Sequence, residues 1–198
     1  MLEYEKKLWQ EHRLILGLDE AGRGCPAGPL VVAGVIFPPN YQNPHINDSK
    51  KLTPKQRETL YNVIVNDAIA YQVVIFEPEY VDQHNPKQTS RNGMRQIAQN
   101  ITPQPTFILT DFEQIPNTPI PQENLIKGDA QSITIAAASI LAKVTRDRIM
   151  LELDKLYPNY GFAKHKGYGT KAHLDAVNAF GKIKGIHRLS YKFGSDTK

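Results

Sequence analysis

Leu14-Ile15-Leu16-Gly17-Leu18-Asp19-Glu20 is an apolar run that ends abruptly in two carboxylates. An uncharged stretch of this length, closed by an acid pair, reads as a buried strand that delivers its acids to the edge of a sheet. Successive strand residues point to opposite faces. Asp19 and Glu20 can therefore serve one centre only if the strand ends there or Glu20 contributes through its backbone. Phe107-Ile108-Leu109-Thr110 repeats the pattern and ends in Asp111. A third acid-bearing position, Asp129, follows Leu125-Ile126-Lys127-Gly128 and opens a long apolar-striped segment.

Working outward, further strand signals lie at 30–37 and 69–76, with a weaker one at 124–126, which together make one sheet. Helical patterns occupy roughly 53–66, 79–100, 132–156 and 171–180, the first opening with Thr53 as N-cap and Pro54 as first helical residue. In the third, Ile133, Ala136, Ala137, Ile140, Leu141, Val144 and Leu151 fall mostly at three- and four-residue steps. That is a stripe for packing on the sheet, with Lys143, Arg146, Asp147 and Arg148 placed elsewhere. Strands come first and helices dominate the end.

Carboxylates at three strand and helix ends invite a common site, because hard divalent cations such as magnesium take carboxylate oxygens and water. Two-metal hydrolysis of a phosphodiester is the chemistry such a set supports. Each acid has a plainer reading too: Asp129 as an N-cap, Asp19 and Asp111 as the first residues of turns.

Directly after the acid pair comes Ala21-Gly22-Arg23-Gly24-Cys25-Pro26-Ala27-Gly28-Pro29. Glycines on both sides of Arg23 permit positive φ and let backbone amides approach a phosphate or sugar. No Gly-Lys-Ser/Thr ending follows, so this is not the phosphate loop of nucleotide-binding enzymes. Asp48-Ser49-Lys50-Lys51-Leu52-Thr53 sets two lysines before a helix, where they either contact a phosphate backbone or are simply solvated. Gly161-Phe162-Ala163-Lys164-His165-Lys166-Gly167-Tyr168-Gly169-Thr170 interleaves bases, aromatics and glycines, a composition suited to holding a backbone while a ring stacks on a base or sugar. Tyr168, between two glycines, is hard to explain as core. His165, His173 and His187 could serve as proton carriers or ligands, but scattered surface histidines are commoner and their spacing is no zinc signature.

The 198 residues, 40% hydrophobic and 22% charged, suit one compact domain. No stretch approaches the roughly 18 consecutive apolar residues of a membrane helix. The start, Met1-Leu2-Glu3-Tyr4-Glu5-Lys6-Lys7, lacks the basic region and apolar core of a secretory signal, which points to the cytoplasm. Cys25 is the single cysteine, so an internal disulfide framework and a cysteine-based zinc site are excluded. Net charge is +4, but residues 1–142 hold 12 basic and 15 acidic side chains while 143–198 hold 12 and 5. A basic C-terminal quarter suits a polyanion, or a merely solvated face.

Taken together, Asp19-Glu20-Ala21-Gly22-Arg23-Gly24, Asp48-Ser49-Lys50-Lys51-Leu52, Lys127-Gly128-Asp129-Ala130, Ala136-Ala137-Ala138-Ser139-Ile140-Leu141-Ala142-Lys143-Val144-Thr145-Arg146-Asp147-Arg148 and His165-Lys166-Gly167-Tyr168-Gly169-Thr170 closely resemble the ordered motifs of bacterial ribonuclease HII. The resemblance covers most of the chain. It implies an α/β ribonuclease H-like fold with a central mixed sheet flanked by helices, as one catalytic domain over 1–198 with a helical substrate-binding segment at about 157–198. It also implies a cytoplasmic monomer using Mn2+ or Mg2+ to cut the RNA strand of RNA–DNA hybrids, and 5′ of single ribonucleotides in duplex DNA, leaving 3′-hydroxyl and 5′-phosphate ends. By the same resemblance Asp19, Glu20, Asp111 and Asp129 are the catalytic metal-binding acids. Gly22, Arg23 and Gly24 sense the ribose 2′-hydroxyl, Tyr168 stacks on the sugar at the RNA–DNA junction, and Lys50, Lys51, Lys143, Arg146, Lys164 and Lys166 complete the substrate-binding set.

Two departures stand out. The family usually has glycine after the third acid, whereas Phe112-Glu113 follows Asp111 here, which makes Glu113 a possible stand-in ligand. The stretch 87–94 is also more polar than the helix the family tends to have there. Two other readings remain: a ribonuclease HIII-like relative, for whose extra N-terminal domain the dozen residues before the first strand leave no room, and a binding module that kept the fold without catalysis. No docking peptide is evident in Tyr191-Lys192-Phe193-Gly194-Ser195-Asp196-Thr197-Lys198.

Overall fold

A computed structural model describes residues 2–194; the last part of the tail that shows no docking peptide, 195–198, lies outside the described residues. Five strands, β1 (Ile15–Ala21), β2 (Leu30–Ile36), β3 (Ala70–Phe76), β4 (Phe107–Asp111) and β5 (Gln122–Leu125), form one sheet in the order β3-β2-β1-β4-β5. β1 pairs antiparallel with β2 and parallel with β4, β2–β3 is antiparallel and β4–β5 parallel. The sheet is thus mixed, and β1 sits at its centre.

The strand period sorts the core into two layers. Ile15 of β1 and Leu109 of β4 join the cluster built on α5 (Ile133–Leu156) and α2 (Pro54–Asp67), while Leu16, Leu18 and Ile108 join the one built on α4 (Pro86–Asn100). Each helix comes close to the sheet at a glycine. A Cβ on Gly17 would lie 2.3 Å from the Thr134 carbonyl carbon, and one on Gly93 would lie 2.6 Å from Val32 Cγ2. Any side chain there would push a helix off the sheet.

α5 is buried all round from Ile133 to Ala142 rather than along a stripe, because it lies between the sheet and the neighbouring α2. Its N-cap is Ser132, which accepts from the Ile135 N–H, so the N-cap reading of Asp129 falls. At the far end Leu151 is exposed, contrary to its place in the expected stripe. The segment 79–100 is two helices, α3 (Pro78–His84) and α4, broken at Asn85, whose φ is 59° and whose side chain caps α4. The polar 87–94 stretch is fully helical within α4, burying Thr89, Ser90, Gly93 and Met94. A short α1 (Leu2–Leu8) precedes the sheet, and its buried Glu5 accepts hydrogen bonds from Thr134 N–H (3.1 Å) and Thr134 Oγ1 (3.0 Å) at the start of α5.

α6 (Phe162–His165) and α7 (Lys171–Phe180) make the C-terminal segment helical as far as residue 180; 181–194 is turn and coil. Met150, Tyr160, Phe162, Val177 and Ile186 form a third apolar cluster with Ala27, which fastens this segment to the glycine turn. Among the described residues no helix is long and apolar enough to cross a membrane.

Candidate metal centre and nucleic-acid cleft

The parallel register Leu18↔Thr110 leaves Asp19 and Asp111 side by side one residue further on, both on the face toward α5. β5 pairs Leu125 with Asp111, and the chain then turns through Lys127 at φ 57° into a 3-10 turn at Gly128–Ala130 that carries Asp129. The Gly128 N–H donates to Asp111 Oδ1 at 2.8 Å, which locks the turn against the strand end. One carboxylate oxygen from each of Asp19, Asp111 and Asp129 then lies within 4.8 Å of the others.

Glu20 takes the other face of β1, with Leu16 and Leu18, as the pleat requires. It lines the same cleft of about 250 Å³ as Asp19 and Asp111. Its Oε1 accepts from Arg23 Nη1 at 3.4 Å, while its Oε2 is buried without a partner. Structure therefore groups three of the four expected acids tightly and sets the fourth beside them. Glu113 is no stand-in: it is 1% exposed and accepts from Arg23 Nη2 at 2.7 Å and Arg91 Nε at 3.0 Å. Phe112, where the family's glycine is expected, adopts φ 65°, a left-handed conformation that glycine takes without strain, and is itself 63% exposed.

The electrostatics are those of a crowded anion cluster. Burial, then the charges of Glu20 and Asp111, push the Asp19 carboxyl well up, against the opposing hydrogen bonds from Ser139 and the Glu20 N–H. Burial pushes Glu20 up to about 7 despite Arg23. Asp111 is raised by burial and by Asp129, against the Gly128 N–H. Carboxylates crowded this closely, with Glu20 Oε2 unpartnered and only oxygen donors on offer, suit the charge of a hard divalent cation. Lys50 supplies part of that charge: its Nζ lies 3.2 Å from Asp129 Oδ2. Burial works against the Lys50 ammonium, but Asp129 outweighs it and holds the charge above its ordinary range. Lys51, exposed on the same turn, reaches no acid of the cluster.

Beside the acids, the glycine turn is held from behind by two buried arginines. Arg146 donates to the carbonyls of Pro29 (2.9 Å), Ala27 (2.8 Å) and Lys166 (2.7 Å). Arg188 donates to Gly28 O at 3.0 Å and Arg23 O at 3.0 Å. Arg146 is thus 0% exposed, its guanidinium spent on carbonyls beneath the turn rather than open to the cleft where the resemblance placed it. Gly22, at φ 89°, makes room for its guanidinium, whereas a Cβ on Gly24 would meet nothing within 4 Å. Gly24 faces open space.

Gly167 O accepts from the Ala27 N–H at 3.4 Å, which brings Tyr168 up to the turn. The Tyr168 ring is 43% exposed and lies 5.3 Å from Lys143 Nζ, which also pairs with Asp147 at 2.6 Å. A second groove, about 540 Å³, continues from Tyr168 between α2 and α5 past Arg57, Lys143, Arg148, Lys164 and Lys166. Lys164 is exposed, while Lys166 folds back onto Ala163 O. His165, His173 and His187 are buried, not surface residues. Sequence reasoning also missed Arg57, which holds the 48–53 loop through Ser49 O (2.9 Å) and Leu52 O (2.6 Å). It missed Arg188 as well, for which no local signal exists; Arg57 at least sits one turn into a helix that opens beside two lysines.

The ribonuclease HII family profile matches residues 16–193. A "Ribonuclease HII" from Mycoplasma mycoides subsp. mycoides is 52% identical over 177 residues, 89% of this chain and 85% of its own length. Another from Desulfitobacterium hafniense is 49% identical over 192 residues, 96% of this chain and 74% of its own. Among solved structures, the ribonuclease H2 of Pyrococcus horikoshii OT3 superposes with a TM-score of 0.78 at 25% identity, covering 90% of this chain and 94% of that one. The three-acid cluster on a mixed sheet, the profile match and these identities lead to one conclusion: the chain belongs to the ribonuclease HII family of RNase H endonucleases.

Proposed function

We propose that this enzyme hydrolyses the RNA strand of RNA–DNA hybrids and cuts on the 5′ side of single ribonucleotides in duplex DNA, by two-metal-ion chemistry that leaves 3′-hydroxyl and 5′-phosphate ends. The observation that carries the reading is the convergence of Asp19, Asp111 and Asp129 within 4.8 Å, next to an open glycine turn and an exposed tyrosine. Asp19, Asp111 and Asp129, with Glu20 at their side, would hold Mg2+ or Mn2+. Such ions supply an activated water and stabilise the leaving oxygen.

The chain's own groups do the rest. Lys50 and Lys143 neutralise phosphates at the mouth of the cleft; Lys50 is free to exchange Asp129 for a phosphate because its side chain is 78% exposed. Lys51 and Lys164 extend that positive rim. Backbone at Gly24 and Arg23 approaches the ribose, and Tyr168 stacks on the sugar next to it, so that the 2′-hydroxyl, the feature separating RNA from DNA, decides where cutting occurs. Arg23 is kept in place for this by Glu20 and Glu113.

The test is a labelled DNA duplex with one ribonucleotide, incubated with magnesium, manganese or chelator, alongside an Asp19→Asn control. Metal-dependent cutting 5′ of the ribonucleotide, absent from the control, is expected. Cutting of long hybrids alone would remove the junction assignment of Arg23, Gly24 and Tyr168, and tight hybrid binding without cleavage would overturn the whole reading.

A further inference from the structure

His173 and His187 are 0% and 1% exposed, and their Nε2 atoms lie 3.1 Å apart. The backbone at either end decides which nitrogen carries each proton. The Ile183 N–H donates to His187 Nδ1 at 2.9 Å, so His187 Nδ1 is an acceptor and its proton is on Nε2. His187 Nε2–H therefore donates to His173 Nε2, which leaves the His173 proton on Nδ1, and this donates to the Tyr168 carbonyl at 2.9 Å. The chain of bonds has one direction, from Ile183 through two neutral imidazoles to Tyr168. His165 repeats the arrangement beside it: Nδ1 accepts from the Gly167 N–H at 3.1 Å, Nε2 donates to Tyr160 O at 2.7 Å, and the ring stacks on His173 at 4.3 Å.

An apolar pair would fill this volume without the cost of burying imidazoles, and burial depresses both His173 and His187 to about 4. What the histidines add is orientation, and it ends on the backbone of an exposed residue rather than in the core. His187 is also bridged to Ala27 of the glycine turn and is followed by Arg188, which grips Arg23 O and Gly28 O. One short C-terminal stretch thus sets both the turn and, through His173, the tyrosine opposite it.

We infer that His173 and His187 are positioning residues for ribonucleotide recognition: they fix Tyr168 against the glycine turn and so determine how strongly a single embedded ribonucleotide is cut relative to a long hybrid. This rests on the reading of Tyr168 given above. The acids stand on separate elements, so a long hybrid, held by many phosphate contacts, depends less on this register.

The test compares kcat/KM for a single-ribonucleotide duplex with that for a long hybrid in the intact protein, Tyr168→Ala, His173→Leu and His173→Asn, with thermal unfolding followed for each. Asn retains a donor where Nδ1 stood. His173→Leu should lower the ratio of the two activities about ten-fold, as removal of an outer partner of an oriented ligand does, and His173→Asn should restore most of it. Equal losses on both substrates, or loss without recovery by asparagine, would overturn the assignment. If Tyr168→Ala leaves the ratio unchanged, the Tyr168 reading itself falls; if it lowers the ratio and His173→Leu does not, only the histidine inference falls. Should His173→Leu not fold, nitrogen NMR of the intact protein decides: protons on His187 Nε2 and His173 Nδ1 are required, and the opposite tautomers refute it.

Discussion

Alanine at Gly22 and alanine at Gly24 should have opposite effects although only Arg23 separates them. Gly22 sits at φ 89°, and a left-handed backbone costs an L-residue about 1–2 kcal/mol. Its Cβ would fall 2.1 Å from Arg146 Nε and 2.6 Å from Cδ, so the guanidinium must withdraw from at least the Pro29 carbonyl it reaches at 2.9 Å. A hydrogen bond lost from a buried charged group adds roughly 1.5–3 kcal/mol. Gly22→Ala should therefore cost roughly 2.5–5 kcal/mol, a large share of the roughly 5–15 kcal/mol of a whole domain. Gly24 has no atom within 4 Å of its Cβ position, so Gly24→Ala should be neutral or stabilise by about 0.4–1 kcal/mol through the unfolded chain. Urea unfolding at neutral pH with matched m-values measures both. Cleavage should separate them as well, since the Gly24 methyl fills the space into which the ribose is proposed to come. A Gly22→Ala protein within about 1 kcal/mol of the parent would refute the account of Arg146 as a clamp.

Phe112→Gly should raise stability by about 1 kcal/mol by releasing the strain of φ 65°; a clear loss in urea unfolding would mean that the ring packs more than its 63% exposure shows. Glu113→Ala should cost about 2–3 kcal/mol, less than a fully buried pair because Arg23 and Arg91 are partly open, and should impair junction cutting more than hybrid cutting. Mn2+ should raise the melting temperature of the intact protein and leave Asp19→Asn nearly unmoved, by mass action on the folded state; equal shifts would place the ion elsewhere. His173 and His187, depressed to about 4, stay neutral in the fold while the unfolded chain takes up protons below about 6.5, so each withdraws about 1.4 kcal/mol of stability per pH unit on acidification. The raised carboxyls of Asp19 and Asp111 bind protons in the fold first and offset part of that loss. The double variant Asp19→Asn, Asp111→Asn should accordingly lose more stability than the parent as pH falls from neutral toward the ordinary carboxylate range, and equal losses would refute the opposition.

Strands and acids were legible because their signals are local. The apolar runs ending in Asp19 and Asp111 are β1 and β4, and the pleat alone foretold that Glu20 would part from Asp19. The Asn85-Pro86 pair carried the break between α3 and α4, since a residue before proline avoids the helical region, but the surrounding helical pattern concealed it. Arg146 deceived because a charge between polar neighbours reads as solvated, whereas two of its three carbonyl partners lie more than a hundred residues away along the chain. Arg188 and the histidines are of the same kind. Their roles come from which loops meet, and no spacing within the chain encodes that.

Arg146 and Arg188 also settle a question of fields. Among the described residues neither guanidinium is ion-paired with a carboxylate; Arg146 spends its hydrogen bonds on carbonyl dipoles and Arg188 on carbonyls and the Tyr191 hydroxyl, so two positive charges lie beneath the turn without a carboxylate partner. Exposed lysines such as Lys51 lose much of their pull on a nucleic acid as salt rises, because mobile ions screen them within about 10 Å. Charges sealed under the backbone cannot be reached by those ions or bend toward a different phosphate. They give the loop that meets the sugar a standing attraction for anions, so the grip at the point of reading should outlast, as salt increases, the grip along the rest of the duplex.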